Sequence, residues 1–116
     1  MELEIEALVN CLSHSGAIQI LKSLKSGAKR QKDLILTTRL DKTIIWRRIK
    51  ELIDFGLIQI TVMRDTPTGS KAYELTPLGR KIVQLIEEME KEFEEYHSQA
   101  PPKDPEEFIG EVLKEE

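Results

Sequence analysis

Cysteine, proline, glycine and aromatic residues are all scarce in this 116-residue chain, which holds one Cys, five Pro, six Gly, three Phe, two Tyr and one Trp. A single cysteine, Cys11, excludes an intrachain disulfide framework and suits a reducing cytoplasm, where the chain is expected to reside. So little glycine and proline excludes a fibrous or low-complexity chain. Apolar runs never exceed four residues, too short to span a bilayer, so no membrane partner is expected. Glu2, Glu4 and Glu6 break the N-terminus into isolated apolar positions, the wrong pattern for a cleavable signal. What is present is 40% hydrophobic and 33% charged residues, enough for one core under a heavily charged surface. Abundant Lys, Glu and Ile beside a single Asn point to a thermophilic source.

The formal net charge of −4 would by itself speak against a polyanionic partner. Divided along the chain, it is far from uniform. Residues 1–21 carry −3, residues 22–50 carry ten Lys and Arg against two Asp for +8, residues 51–86 balance, and residues 87–116 carry −9. A basic middle between acidic ends marks a partner surface better than the net figure does. A solvated Lys/Arg-rich helix face would leave the same local excess, so the charge acquires meaning only from the fold.

Apolar spacing gives the elements. Ile5, Leu8, Val9 and Leu12 predict a helix over 2–12, and Ala17, Ile20, Leu21 and Leu24 a second, from His14 or Ser15 to Ser26, stopped by Gly27. An extended step at Ala28 and Lys29 leads to a helix over 31–37 held by Leu34, then to a tight turn at 38–41. Asp41 caps the next helix, 42–55, whose inward stripe is Ile45, Ile49, Leu52 and Ile53 and whose stop is Gly56 in the left-handed region. Alternating residues at 57–63 and 71–75, with Pro67 and Gly69 between them, predict a β-hairpin with a long polar tip. Thr76 caps and Pro77 begins a long helix to about 97. In it Ile82, Ile86, Met89, Phe93 and Tyr96 form a heptad seam, and a second copy of the chain is expected to cover it. Beyond it, residues 98–116 read as an acidic tail with a short amphipathic helix bearing Phe108, Ile109, Val112 and Leu113.

Helix, helix, turn, helix, hairpin, long helix is the order of a winged helix-turn-helix. The expected fold is therefore mainly α with a small β-hairpin: a winged helix-turn-helix over 1–80 with a long C-terminal dimerisation helix over 77–97. At this point the residues resemble a known set of families. The run from Ile49 through Lys50, Glu51, Leu52, Ile53, Asp54, Phe55 and Gly56 to Ile58 is similar to the pattern shared by small prokaryotic regulators of the MarR, ArsR, PadR and HxlR type. So are Tyr73-Glu74-Leu75-Thr76-Pro77-Leu78-Gly79-Arg80 and the basic turn and helix ahead of the first run. The resemblance spans about residues 16–86 and concerns the scaffold. It implies a three-helix core presenting its third helix and the wing to double-stranded DNA.

With Ile45, Ile49 and Leu52 inward, Thr43, Arg47, Lys50 and Asp54 point outward on a helical wheel, and Ile44, Trp46 and Arg48 flank them. Lys42, Thr43, Ile44 and Arg47, at the groove-entering end, are candidates for base-edge contact, with Arg47 suited to a guanine and Ile44 to a thymine methyl. Arg30, Lys32, Arg39, Arg48 and Lys50 are candidates for phosphate contact, and Arg64 and Lys71 for the same role from the wing. Trp46 has two readings, packing on backbone sugars or structural packing. Other chemistry finds little support. Cys11 and His14 with Glu94 and His97 fall short of a metal ligand set, so neither metal nor cofactor is expected. Ser13, His14 and Ser15 are adjacent on a helix and cannot face one another as nucleophile and base, and no enzyme is expected. Cys11 reads as a buried apolar residue with no resolving partner in the chain. A small-molecule effector is allowed but not indicated.

The expected function is a homodimeric, sequence-specific DNA-binding regulator acting as a repressor on a pseudo-palindromic site, its recognition helices about 34 Å apart. The alternative is a winged helix used for protein interaction, with the acidic helix as its docking surface. The local +8 favours DNA. The acidic tail is expected to repel DNA from all but the recognition face.

Overall fold

A computed structural model describes residues 4–99. Its elements, in order, are α1 (Ile5–Ser13), α2 (Ala17–Ser23) with a following 3-10 turn (Leu24–Ser26), α3 (Gln31–Thr38), α4 (Lys42–Asp54), strands β1 (Ile58–Met63) and β2 (Ser70–Leu75), and α5 (Pro77–Ser98). This is the mainly helical winged helix-turn-helix expected from the spacing. The amphipathic segment expected within 98–116 lies outside the described residues, as do residues 2 and 3 of the first expected helix; α1 itself begins at Ile5. Two compact units form, the first ending at Gln84 and the second beginning at Leu85.

In the first unit, Ala17, Ile20, Leu21 and Leu24 pack with Leu34 of α3 and with Ile45, Ile49 and Leu52 of α4. Leu57, Ile58, Tyr73, Leu75 and Val83 close the same core from the wing and the start of α5. Each Leu, Ile or Val among them contributes roughly 1.5–3 kcal/mol by leaving water. The second helix starts later than the spacing suggests, at Ala17, because Gly16 is held at φ 86° by the turn that joins it to α1. A side chain there would meet both a left-handed backbone and the Leu40 side chain.

Two caps set the ends of the helices that matter most. Asp41 accepts a hydrogen bond from the Thr43 backbone N–H at 2.7 Å and starts α4. Gly56, at φ 75°, ends it, and the chain enters β1 within two residues. The wing is one antiparallel pair running from Ile58 opposite Leu75 to Met63 opposite Ser70. Lys29 adds a single bridge to Tyr73, so the extended step before α3 lies along the outer side of β2.

Thr76 joins the wing to α5. Its hydroxyl accepts from the Gly79 N–H at 2.9 Å and donates to the Gly56 carbonyl, tying the α5 cap to the end of α4. Gly79 permits this approach: a Cβ at that position would run into the Leu57 carbonyl oxygen. The contact is with backbone, which cannot swing aside as a side chain could. Gly79→Ala is therefore expected to lower stability by about 1–3 kcal/mol through overpacking, read as a reduced urea midpoint. An unchanged midpoint would show that α5 is free to shift away from Leu57.

Candidate nucleic-acid interface

Burial of Ile45, Ile49 and Leu52, each at 1% exposure or less, leaves α4 only one face for a partner. On that face Lys42, Thr43, Trp46, Arg47 and Lys50 are exposed, and Ile44 is partly covered beside Gly16. Thr43, Trp46, Arg47, Lys50, Glu51 and Asp54 line one shallow groove along it. Three of the four base-contact candidates thus stand free near the helix start, and the fourth stands partly so. Trp46 is 47% exposed with the Lys50 ammonium 5.7 Å from its ring centre, so its indole is a surface group stacked under a cation.

Two of the phosphate candidates are placed otherwise than expected. Arg48 is 8% exposed, and its Nη1 donates to both Glu51 carboxylate oxygens at 3.0 and 2.8 Å. Its Nε has no partner among the described residues. A guanidinium turned inward and held bidentately cannot also reach a phosphate outside, so Arg48 leaves the contact set. The helical wheel placed it on the flank, and the tertiary fold covers that flank. Arg30 is half-buried and already engaged, with Asp33, Asp65 and Ser70 around its guanidinium. Lys32, Arg39, Lys50, Arg64 and Lys71 remain exposed. Arg39 occupies the left-handed region at φ 58°, where it ends α3 and turns the chain towards α4.

The sequence did not reveal a three-residue polar tie behind this face. Glu51 receives, besides Arg48, the His14 ring at 2.8 Å. An ionised carboxylate only accepts, so His14 Nδ1 carries the shared proton. Burial pushes the Glu51 carboxyl up, but the His14 hydrogen bond and the Arg48 charge outweigh it and hold the group below its ordinary value. Cys11 is buried beside this tie, and burial, reinforced by the Glu51 charge, pushes its thiol up, as fits a packing residue. His14 and Glu51 are 37 residues apart, so no local spacing signals them. Among the described residues no group of three His, Cys, Asp or Glu side chains is placed to hold a metal ion, and no helix is long and apolar enough to cross a membrane.

In the second unit Leu85, Met89, Phe93 and Tyr96 are exposed, whereas Ile86 is 5% exposed. Ile82, at the end of the first unit, packs on the core. The expected seam is thus divided: Ile82 is half-buried and Ile86 buried in the single chain, and the exposed apolar stripe starts at Leu85. The ring of His97 lies tilted against Phe93 and edge-on to Tyr96, with centres 4.4 and 5.6 Å apart.

A model of the HxlR-like helix-turn-helix family matches residues 12–101. No curated protein matches the chain significantly. Among solved structures, the reduced form of the transcriptional regulator YodB from B. subtilis superposes with a TM-score of 0.73 at 22% identity, covering 87% of this chain and 99% of that one. A MarR-family regulator from Enterococcus faecalis V583 gives a TM-score of 0.68 at 19% identity, over 85% of this chain and 94% of that one. The HTH-type regulator ytcD gives 0.67 at 25% identity, over 86% and 100%.

The Glu51 tie makes stability depend on acid. A carboxyl held low in the folded state contributes fully above its unfolded pKa of about 4.3 and loses that contribution as the pH falls through its folded value. Glu51→Gln is expected to cost about 1–2 kcal/mol at neutral pH and to flatten the decline in melting temperature below pH 4.3. Parallel acid limbs in variant and parent would remove Glu51 from that role.

Proposed function

The chain belongs to the HxlR-like helix-turn-helix family and is a non-enzymatic transcription regulator of the helix-turn-helix type, and from that membership we propose that it binds specific double-stranded DNA sites as a homodimeric repressor. The observation that carries the reading is the exposed start of α4. Lys42, Thr43 and Arg47 are exposed on a helix whose opposite face is sealed into the core, within the segment that carries +8. In this reading the N-terminal half of α4 enters the major groove, where Arg47 reads a guanine edge and Ile44 or the Thr43 methyl meets a thymine methyl. Lys32, Arg39 and Lys50 neutralise phosphates beside it. The wing brings Arg64 and Lys71 to the adjoining minor groove or backbone.

The salt dependence of binding separates this from a protein-docking winged helix. Affinity for a duplex selected from a random pool is expected to fall steeply between low and physiological salt. A flat salt response would overturn DNA binding. Arg47→Ala is expected to cost about 1–3 kcal/mol and to relax preference at one position, whereas Lys32→Ala weakens all duplexes alike and lowers the salt slope by about one. Sequence preference left intact by Arg47→Ala would assign base reading to another residue.

For the dimer, the support is the apolar stripe Leu85, Met89, Phe93 and Tyr96, each more than two-fifths exposed in the single chain. Four large apolar side chains on one acidic helix face find cover most simply against their own copies across a two-fold axis. Phe93→Glu is expected to weaken self-association by about tenfold or more in sedimentation equilibrium while leaving the melting of the first unit in place. Undiminished association would exclude this stripe as the contact.

A further inference from the structure

Beyond the apolar core that Ile58, Tyr73 and Leu75 share with the helices, polar contacts tie the wing to the segment that leads into α3 at two places, and one of them depends on a single side chain. At the base of the wing, Lys29 and Tyr73 exchange backbone hydrogen bonds of 2.9 Å in both directions. Nearer the tip, Arg30 Nη1 lies 3.0 Å from Asp65 Oδ2 and 3.3 Å from Ser70 Oγ. The other side of the same guanidinium is anchored: Nε is 3.4 Å from Asp33 Oδ2, and that oxygen also accepts from the Arg30 backbone N–H. Those two hydrogen bonds hold the Asp33 carboxyl below its ordinary range, the backbone one most strongly, so the anchor stays charged. Asp33 sits in the first turn of α3 and Asp65 in the turn between β1 and β2. A hairpin fastened only at its base can pivot about that point, whereas a second fastening away from it sets the angle. Arg30 supplies the second fastening, and its planar fork suits the task because Nε and Nη1 can face two carboxylates at once.

We propose that Arg30 is a positioning residue for DNA binding: with Asp33 and Asp65 it braces the wing at a fixed angle to the recognition helix and does not itself contact a phosphate. The proposal rests on the DNA-binding reading for its consequence, but the brace exists in the free protein. It also explains Asp65, an acid on a wing whose exposed cations are Arg64 and Lys71. Its negative charge opposes DNA, and its partner in the structure is the brace.

The test turns on the sign of the Asp65→Asn effect. If Asp65 were only a repulsive charge, removing it would tighten binding; if it anchors the brace, removing it loosens the wing and weakens binding. Amide hydrogen exchange on the DNA-free chain should show residues 64–70 exchanging about threefold faster or more in both Asp65→Asn and Arg30→Lys, with α4 amides unchanged. On a duplex selected by the parent chain, both variants should lose about threefold in affinity and the hydroxyl-radical protection flanking the half-site, while keeping protection under α4. Arg30→Lys keeps the charge but not the fork, so full affinity in that variant would favour a simple phosphate contact and overturn the brace. Tighter binding by Asp65→Asn, or wing exchange equal to the parent's, would overturn it as well. If the parent protects no duplex, the DNA reading fails, and the exchange data still decide whether the brace exists.

Discussion

A 13-residue helix buried along Ile45, Ile49 and Leu52 can offer a partner only its opposite side, and most of what this protein presents follows from that constraint on α4. The three buried side chains fix the rotation of the helix about its axis. Once that is set, Thr43, Arg47 and Lys50 must face solvent. The Asp41 cap determines where the helix begins, and hence which residues occupy its exposed first turns. Gly56 determines where it ends, and the immediate entry into β1 places the wing beside it.

Around this helix the polar ties serve its orientation. Glu51 links α4 to the turn after α1 through His14 and neutralises the inward-facing Arg48. Thr76 links the end of α4 to the start of α5 through one hydroxyl acting as donor and acceptor. Arg30 links α3 to the wing. Each tie spans elements that the apolar core alone would leave free to slide, because hydrophobic burial is non-directional. The resulting arrangement leaves Lys32, Arg39, Lys42, Arg47 and Lys50 exposed on the first unit.

The order of elements was readable because it rests on local signals. Apolar periodicity gave the helices, turn residues gave their ends, and Thr76-Pro77 gave the start of α5 within a residue. The close approach of Gly79 to the Leu57 carbonyl has no local signal. The outward set on α4 was readable from the wheel for Thr43, Arg47 and Lys50. It failed for Arg48, because a wheel knows only one helix and the flank is covered by chain far away in sequence. Of the seam positions assigned to a partner, Ile86 is buried and Ile82 half-buried in the single chain, whereas Met89, Phe93 and Tyr96 are exposed.

By itself, then, the sequence determined the winged helix-turn-helix, its basic middle and its acidic end, since periodicity, caps and charge act over a few residues. Only the tertiary structure decided which cations remain available. Arg30 and Arg48 look the same as Lys32 and Lys50 in a charge count, yet both are held in the folded chain: Arg30 by Asp65 from the distant wing, and Arg48 by its own helix neighbour Glu51, which His14, 37 residues away, holds in place. Pairing over such separations is set by packing, and no local pattern encodes it.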